Sequence, residues 1–332
     1  MKKYNYIILG SDWDLYQIAF SDLKDYPNVE YVSGMFPPKH SLKGILYRIH
    51  FNPKINNIID LPLKRIWNRT YFDNRFNDNK PICFIIFRNW LNANQDIIYY
   101  LRKKYPECKI VVTLFDLISK SVTGYKKLLN PDWLKSNCDL VTSFDQGDCD
   151  KYGFIYHPLV MSEYSEINIS NIKKSDVYML GMAKDRLKEI YAIYETLIEN
   201  GLNVDLILGG VKKEDRIYQD SITYLDNKML SYSENIAHIY QTKCLLEIMQ
   251  KGGAGYTQRG CEAVVYGKKL LTNNPLINLA PFYNKQYISQ FTNTKDLDLN
   301  FLKSIPDETH IDYSYKDNIS PKELINFIEN RL

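Results

Sequence analysis

The stretch from Lys243 to Asn274, KCLLEIMQKGGAGYTQRGCEAVVYGKKLLTNN, decides how the chain folds. Lys243–Met249 is a short apolar run bounded by polar residues, the pattern of a buried strand. Gln250–Tyr256 holds Gly252, Gly253 and Gly255, so its backbone can turn tightly and come close to a ligand. Thr257–Tyr266 has helical composition, and Gly267 is a natural residue to close the helix. Leu270–Asn273 makes a second strand. Strand, glycine loop, helix and strand form one βαβ unit. Its loop lies at the carboxyl end of the first strand, where open parallel sheets bind ligands.

A loop and helix of this kind suit an anion, because free N–H groups and the positive dipole end meet at the first turn. Arg259 adds a bidentate donor there. Glu262 follows about one turn later, within reach of a neighbouring group such as a ribose diol. A nucleotide fits that order. A well-capped helix with surface Arg and Glu fits the spacing equally well.

The chain before this stretch repeats the pattern. Val177–Leu180 is a strand, followed by Gly181, Lys184 and Arg186 and a helix with Leu187, Ile190, Tyr191, Tyr194, Leu197 and Ile198 on one face. Asp205–Leu208 and Ile222–Leu225 are strands, and Ser231 with Glu234 forms a capping box. In a sheet of order 3-2-1-4-5 the first and fourth strands are neighbours at the switch point. The loops after Leu180 and Met249 then open into one crevice, where Lys184 and Arg186 meet the same phosphates as Arg259. Cations at a helix start are unfavourable without an anion.

The first half reads as strands at Tyr4–Gly10, Asn28–Ser33, Ile82–Phe87, Lys109–Phe115 and Leu140–Ser143, a parallel sheet with right-handed crossovers. Its switch point takes Gly10, Ser11 and Asp12 together with Arg88 and Asn89, and Asp116 stands next door. Ser11 with Asp14 reads as a capping-box start for the first helix. Asp12-Trp13-Asp14 is also a D-x-D metal triplet, but capping accounts for both acids. Pro158–Ser175 has no periodicity and reads as a linker between domains 1–165 and 176–319. Ser320, Pro321 and Glu323 start a terminal helix over 320–332.

The run Gln250, Gly255, Thr257, Arg259, Glu262, Ala263 and then Gly267 to Asn274 resembles the donor-binding segment of bacterial GT-B glycosyltransferases, those of capsule, O-antigen and lipopolysaccharide clusters above all. The resemblance implies an α/β fold of two Rossmann-like parallel-sheet domains facing across a cleft, donor in the second, acceptor in the first. The terminal helix packs back on the first. It implies a metal-independent, hexosyltransferase-type enzyme of surface-polysaccharide biosynthesis, with a nucleotide sugar as co-substrate, no cofactor, and a glycan or lipid-linked acceptor. Glu262 would hold the ribose, and Gly181, Lys184, Arg186, Gln250, Gly255, Tyr256, Thr257 and Arg259 would line the donor site. Arg88 and Asn89 lie on the acceptor side. Asp12 and Asp116 are the candidate catalytic bases, ahead of His157. Many retaining relatives carry a second Glu eight positions before the Glu262 match, where this chain has Ala254. A nucleotide-sugar epimerase of the same fold, or a non-catalytic glycan- or nucleotide-binding protein, are the alternatives. Neither first loop shows the G-x-G-x-x-G of a dinucleotide enzyme.

Composition sets the outer bounds. The chain has 332 residues, enough for two domains, and a net charge of +3, which does not argue for nucleic acid. Its six cysteines include no C-x-x-C pair and read as reduced, buried thiols of a cytoplasmic protein. The apolar run after Lys2 and Lys3 is too short for a signal peptide or a membrane span. Met35–Lys80 mixes Lys43, Arg48, Lys54, Lys64, Arg65 and Arg69 with aliphatic and aromatic residues. Its apolar stripe looks irregular, which favours a solvated helix pair. The other reading is a surface that touches anionic lipid at the inner face of the plasma membrane.

Overall fold

The computed structural model describes the chain apart from residues 1–2, 34–40, 60, 71–75, 121–127, 227–229, 250–254 and 305–310 and the side chains of 69–70. Gln250, Gly252, Gly253 and Ala254 therefore lie outside the described residues. The chain forms two compact units, Met1–Pro158 with Pro321–Leu332, and Leu159–Ser320. Each is built on a six-stranded parallel sheet, so the fold class is α/β with two Rossmann-like units.

In the first unit the strands are β1 (Asn5–Leu9), β2 (Val29–Val32), β3 (Ile82–Phe87), β4 (Lys109–Leu114), β5 (Leu140–Ser143) and β6 (Ile155–Tyr156). Its helices begin with α1 (Asp14–Ala19), α2 (Leu42–His50), α3 (Pro53–Asn56) and α4 (Arg88–Ala93). They continue with α5 (Asp96–Lys104), α6 (Pro131–Asn137) and α7 (Gln146–Tyr152). The sheet order is β2-β1-β3-β4-β5-β6. Every residue of β3 is buried, as expected for a central strand covered on both faces.

The second unit carries β7 (Ser175–Met182), β8 (Val204–Gly209), β9 (Ile222–Leu225), β10 (Thr242–Glu247), β11 (Lys269–Thr272) and β12 (Ile288–Gln290). Its helices are α8 (Leu187–Glu199), α9 (Tyr232–Gln241), α10 (Gln258–Val265) and α11 (Leu299–Lys303). The order β9-β8-β7-β10-β11-β12 is the 3-2-1-4-5 arrangement with one strand added. Val177, Met179, Leu206, Leu208 and Leu246 pack on Ile190, Ile193 and Leu197 of α8. Tyr178, pointing the other way as strand alternation requires, goes to the side of α9 and α10. The last helix, α12 (Pro321–Glu329), belongs to the first unit, where Lys322 Nζ lies 5.8 Å over the Tyr26 ring.

Three local expectations change. α1 is capped by Trp13 with no side-chain bond, so Ser11 and Asp14 form no capping box. The Ser11 backbone is held by the Tyr31 hydroxyl instead, and its Oγ accepts from Trp13 N at 3.3 Å. The expected linker packs on the second unit: Val160, Met161 and Ser162 are buried, Met161 N donates to Ile319 O at 2.8 Å, and Tyr240 donates to Tyr164 O. On α8 the buried face takes Ile193, while Ile198 is exposed. The Ser231–Glu234 capping box is formed as read.

Candidate active site

The switch point of the second unit lies between β7 and β10, and α10 starts there. Thr257 caps α10, its hydroxyl oxygen accepting from Arg259 N at 3.1 Å while the hydroxyl donates to Glu247. Glu247 is buried at the end of β10, and its other oxygen accepts from the Thr272 hydroxyl at the end of β11. Burial raises its carboxyl above the usual range, against those two hydroxyl bonds. One carboxylate thus ties the helix start to two strand ends.

Glu262 is 1% exposed. It accepts from Asn235 Nδ2 at 3.0 Å and Gln258 Nε2 at 3.1 Å. Arg259 Nη1 lies 2.6 Å from its Oε2, placed as an ion pair rather than an aligned hydrogen bond. Arg259 Nη2 donates to Leu180 O at 3.1 Å, and its Cζ sits 5.4 Å over the Tyr178 ring. Tyr178 donates to Asn235 Oδ1 at 3.0 Å and stacks on His238, which pairs with Asp205 at 2.6 Å. Strands β7, β8 and helices α9, α10 are joined through this one polar network.

Arg186, expected to face phosphate, is instead spent on backbone carbonyls. It donates to Met182 O at the end of β7 and to Ile248 O just after β10. Its guanidinium therefore staples the two strand ends, and burial holds it below its ordinary value. Lys184 is exposed and adopts φ 46°, a left-handed conformation uncommon for a residue with a Cβ. Gly181 is half-buried, with only ordinary contacts awaiting a Cβ. Gly255 O accepts from Asn274 Nδ2 at 3.3 Å. Tyr256 donates to Leu279 O at 2.9 Å and packs edge-on against Phe282.

In the first unit β1 and β3 are neighbours, so Gly10 and Arg88 lie at its switch point. Arg88 is buried and donates to the carbonyls of Leu117, Ile118 and Lys120, while Asp148 accepts from Ile118 N at 2.8 Å. Its charge fixes the turn that follows Asp116. Asn89 is half-buried, and Asp12 and Asp116 are exposed. Tyr16, Phe20, Tyr31, Phe87 and Phe115 form an aromatic cluster, with Phe87 and Phe115 at 4.8 Å. Both acids act on it. Burial raises Tyr16, and the Asp116 charge adds to that. Burial pushes Tyr31 up to about 12 against its Ser11 bond, with Asp12 adding.

His157 is buried, stacks edge-on against Phe327 at 4.7 Å and bonds Pro158 O. All six cysteines are free, five buried and Cys138 half-buried. Among the described residues no group of three or more His, Cys, Asp and Glu is placed to hold a metal ion.

Sequence reading overlooked Glu247, Asn235 and Tyr178. Glu247 had a signal, since an acid inside a buried strand needs partners. Asn235 follows Glu234 onto the buried face of α9, where a polar side chain also needs one.

No protein-family model matches the chain, and no curated protein does. Among solved structures it is similar to spinosyn rhamnosyltransferase SpnG, at 11% identity and a TM-score of 0.45, over 98% of this chain and 100% of that one. A UDP-N-acetylglucosamine 2-epimerase matches at 12% and 0.46, over 99% and 98%. The lipopolysaccharide outer core galactosyltransferase WaaB matches at 11% and 0.43, over 98% of both. At these scores and identities the likenesses assign no activity or ligand to this chain.

Proposed function

We propose that this protein is a glycosyltransferase that takes a sugar from a nucleotide donor held at the β7–β10 switch point. The observation that carries the reading is the position of α10. The helix that bears the resemblance, with Thr257, Arg259 and Glu262 in its first turns, opens at the crevice where the strand order reverses. In this reading Glu262 takes the ribose hydroxyls and Lys184 with Arg259 faces the diphosphate. Arg186 keeps the two loops in register. Fixed cations stabilise charge on the leaving diphosphate, the electrostatic work a metal ion does elsewhere. Gln250, Gly255 and Tyr256 border the donor. The acceptor is a glycan or lipid-linked glycan of a surface polysaccharide, met on the side of Arg88 and Asn89, and Asp12 or Asp116 takes its hydroxyl proton.

The test is calorimetric titration with UDP, GDP, dTDP and CMP sugars, followed by transfer assays on the one that binds. Binding of one donor, with turnover that needs an acceptor, is expected. Asp12→Asn or Asp116→Asn should then lower turnover about 100-fold with donor affinity unchanged. If no nucleotide sugar binds, the reading fails. If donor is converted with no acceptor present, the protein is an epimerase instead.

A further inference from the structure

Helix α2 carries its apolar stripe on the outside. Leu42, Ile45, Leu46 and Ile49 follow the i, i+3, i+4, i+7 spacing and are 43–74% exposed. The stripe is thus regular over α2, although it looked irregular over the longer region. At about 100° per residue these four span roughly 100° of the helix. Gly44 and Tyr47, the buried residues, fall on the far side. Lys43 and Arg48 stand along the two edges, both exposed.

The far side is firmly anchored. Tyr47 packs against Phe51 at 4.4 Å and Trp67 at 5.1 Å, and Trp67 Nε1 bonds His50 Nδ1 at 2.8 Å. The helix therefore cannot rotate its aliphatic stripe inward. The same exposure continues beyond it, at Ile55, Ile58, Ile59, Leu63 and Ile66. From Ser41 to Trp67 the sequence has Lys43, Arg48, Lys54, Lys64 and Arg65 against the single acid Asp60.

We propose that this face docks on an anionic lipid bilayer, with α2 lying in the plane of the interface. The chemistry favours lipid over a protein partner. Interface cores of proteins gather aromatic residues and shed lysine. Here the aromatic residues Tyr47, Phe51 and Trp67 are spent inside, and the exposed side is purely aliphatic with cations at its edges. Branched aliphatic chains enter the acyl boundary while lysine and arginine reach the headgroups. No helix among the described residues is long and apolar enough to cross a membrane, so the contact is one of lying on it. The inference stands on α2 alone and does not depend on the reaction proposed above.

The full chain is floated with phosphatidylcholine vesicles and with vesicles of phosphatidylcholine mixed with phosphatidylglycerol. Binding to the mixed vesicles, weakened by salt, is expected. Ile45→Glu with Ile49→Glu should lower it about tenfold or more, because two charges then enter the acyl boundary. Lys43→Glu with Arg48→Glu, which leaves the aliphatic stripe intact, should lower binding to the mixed vesicles alone. Both variants alter exposed positions and should unfold at the wild-type temperature. No binding to mixed vesicles, or binding that both double variants keep, overturns the proposal. So does self-association that Ile45→Glu with Ile49→Glu abolishes in the absence of vesicle binding, since the occupant is then a second copy.

Discussion

Glu262 gives the sharpest test of the second unit. Its carboxylate is buried, pairs with Arg259 at 2.6 Å and accepts from Asn235 and Gln258. Glu262→Ala leaves a guanidinium only 11% exposed without its counter-charge. Breaking a buried pair from one side costs about 3–5 kcal/mol. At about 2–4 °C per kcal/mol for a chain of this size class, the midpoint should fall by roughly 6–20 °C. Arg259→Met should cost a similar amount, since it strands the carboxylate. Arg259→Met combined with Glu262→Leu removes both charges and leaves Asn235 as the main loss, about 1–2 kcal/mol. The double variant should therefore be more stable than either single one. Denaturant unfolding of the wild type, Arg259→Met, Glu262→Leu and the double variant measures this coupling. If the single effects simply add, the pair does not hold the unit together as described. Nucleotide affinities of Glu262→Ala are meaningful only below its own unfolding transition, because loss of fold would otherwise pass for loss of a ribose contact.

Two further outcomes rest on the first unit. Burial lowers His157 from its ordinary 6.5 to about 4, so the unfolded chain holds the extra proton between those values. Stability from this group is complete above pH 6.5 and falls by about 3 kcal/mol as pH drops toward 4. His157→Gln should flatten unfolding free energy over that window, and an unchanged pH slope would refute the assignment. Gly10→Ala would set a Cβ 2.2 Å from the Tyr31 ring, which cannot shift without breaking its two bonds to the Ser11 backbone. It should cost about 2–4 kcal/mol, and an unmoved urea midpoint would show that the ring has room to give.

Strand order was legible because it needs only apolar runs at the right spacing. The runs VYML, KCLLEIM and LLTN read as short buried strands, and the 3-2-1-4-5 order of Rossmann-type sheets then places them. The closing Gly267, at φ 57°, follows from local chemistry alone, while Thr257, read as the first helical residue, is the cap. What could not be read was where long side chains go. Arg186 and Arg88 read as ligand-facing because a sequence shows charge and not the backbone carbonyls that neighbour it in the fold. Those carbonyls come from Met182 and Ile248 in one case, and from Leu117, Ile118 and Lys120 in the other. Arg186 answers acceptors at two strand ends, and Arg88 answers those of the turn after β4.

The same limit explains Glu262, and it shapes what the proposed donor binding requires. Its Oε1 is filled by Asn235 and Gln258, whereas Oε2 meets only the Arg259 ion pair, so in the proposed donor site a ribose diol that bonds both oxygens must displace a partner at Oε1. Asn235 and Gln258 each give a neutral amide bond, worth about 1 kcal/mol net, whereas releasing Arg259 would strand a buried charge. The cheaper exchange keeps the ion pair and gives up an amide. Gln258 is the partner to yield, because it is half-buried at the first turn of α10, while Asn235 is 2% exposed and already committed to Tyr178. In the proposed donor site that exchange replaces a bond of equal kind, and Arg259 keeps both its Glu262 pair and its bond to Leu180 O.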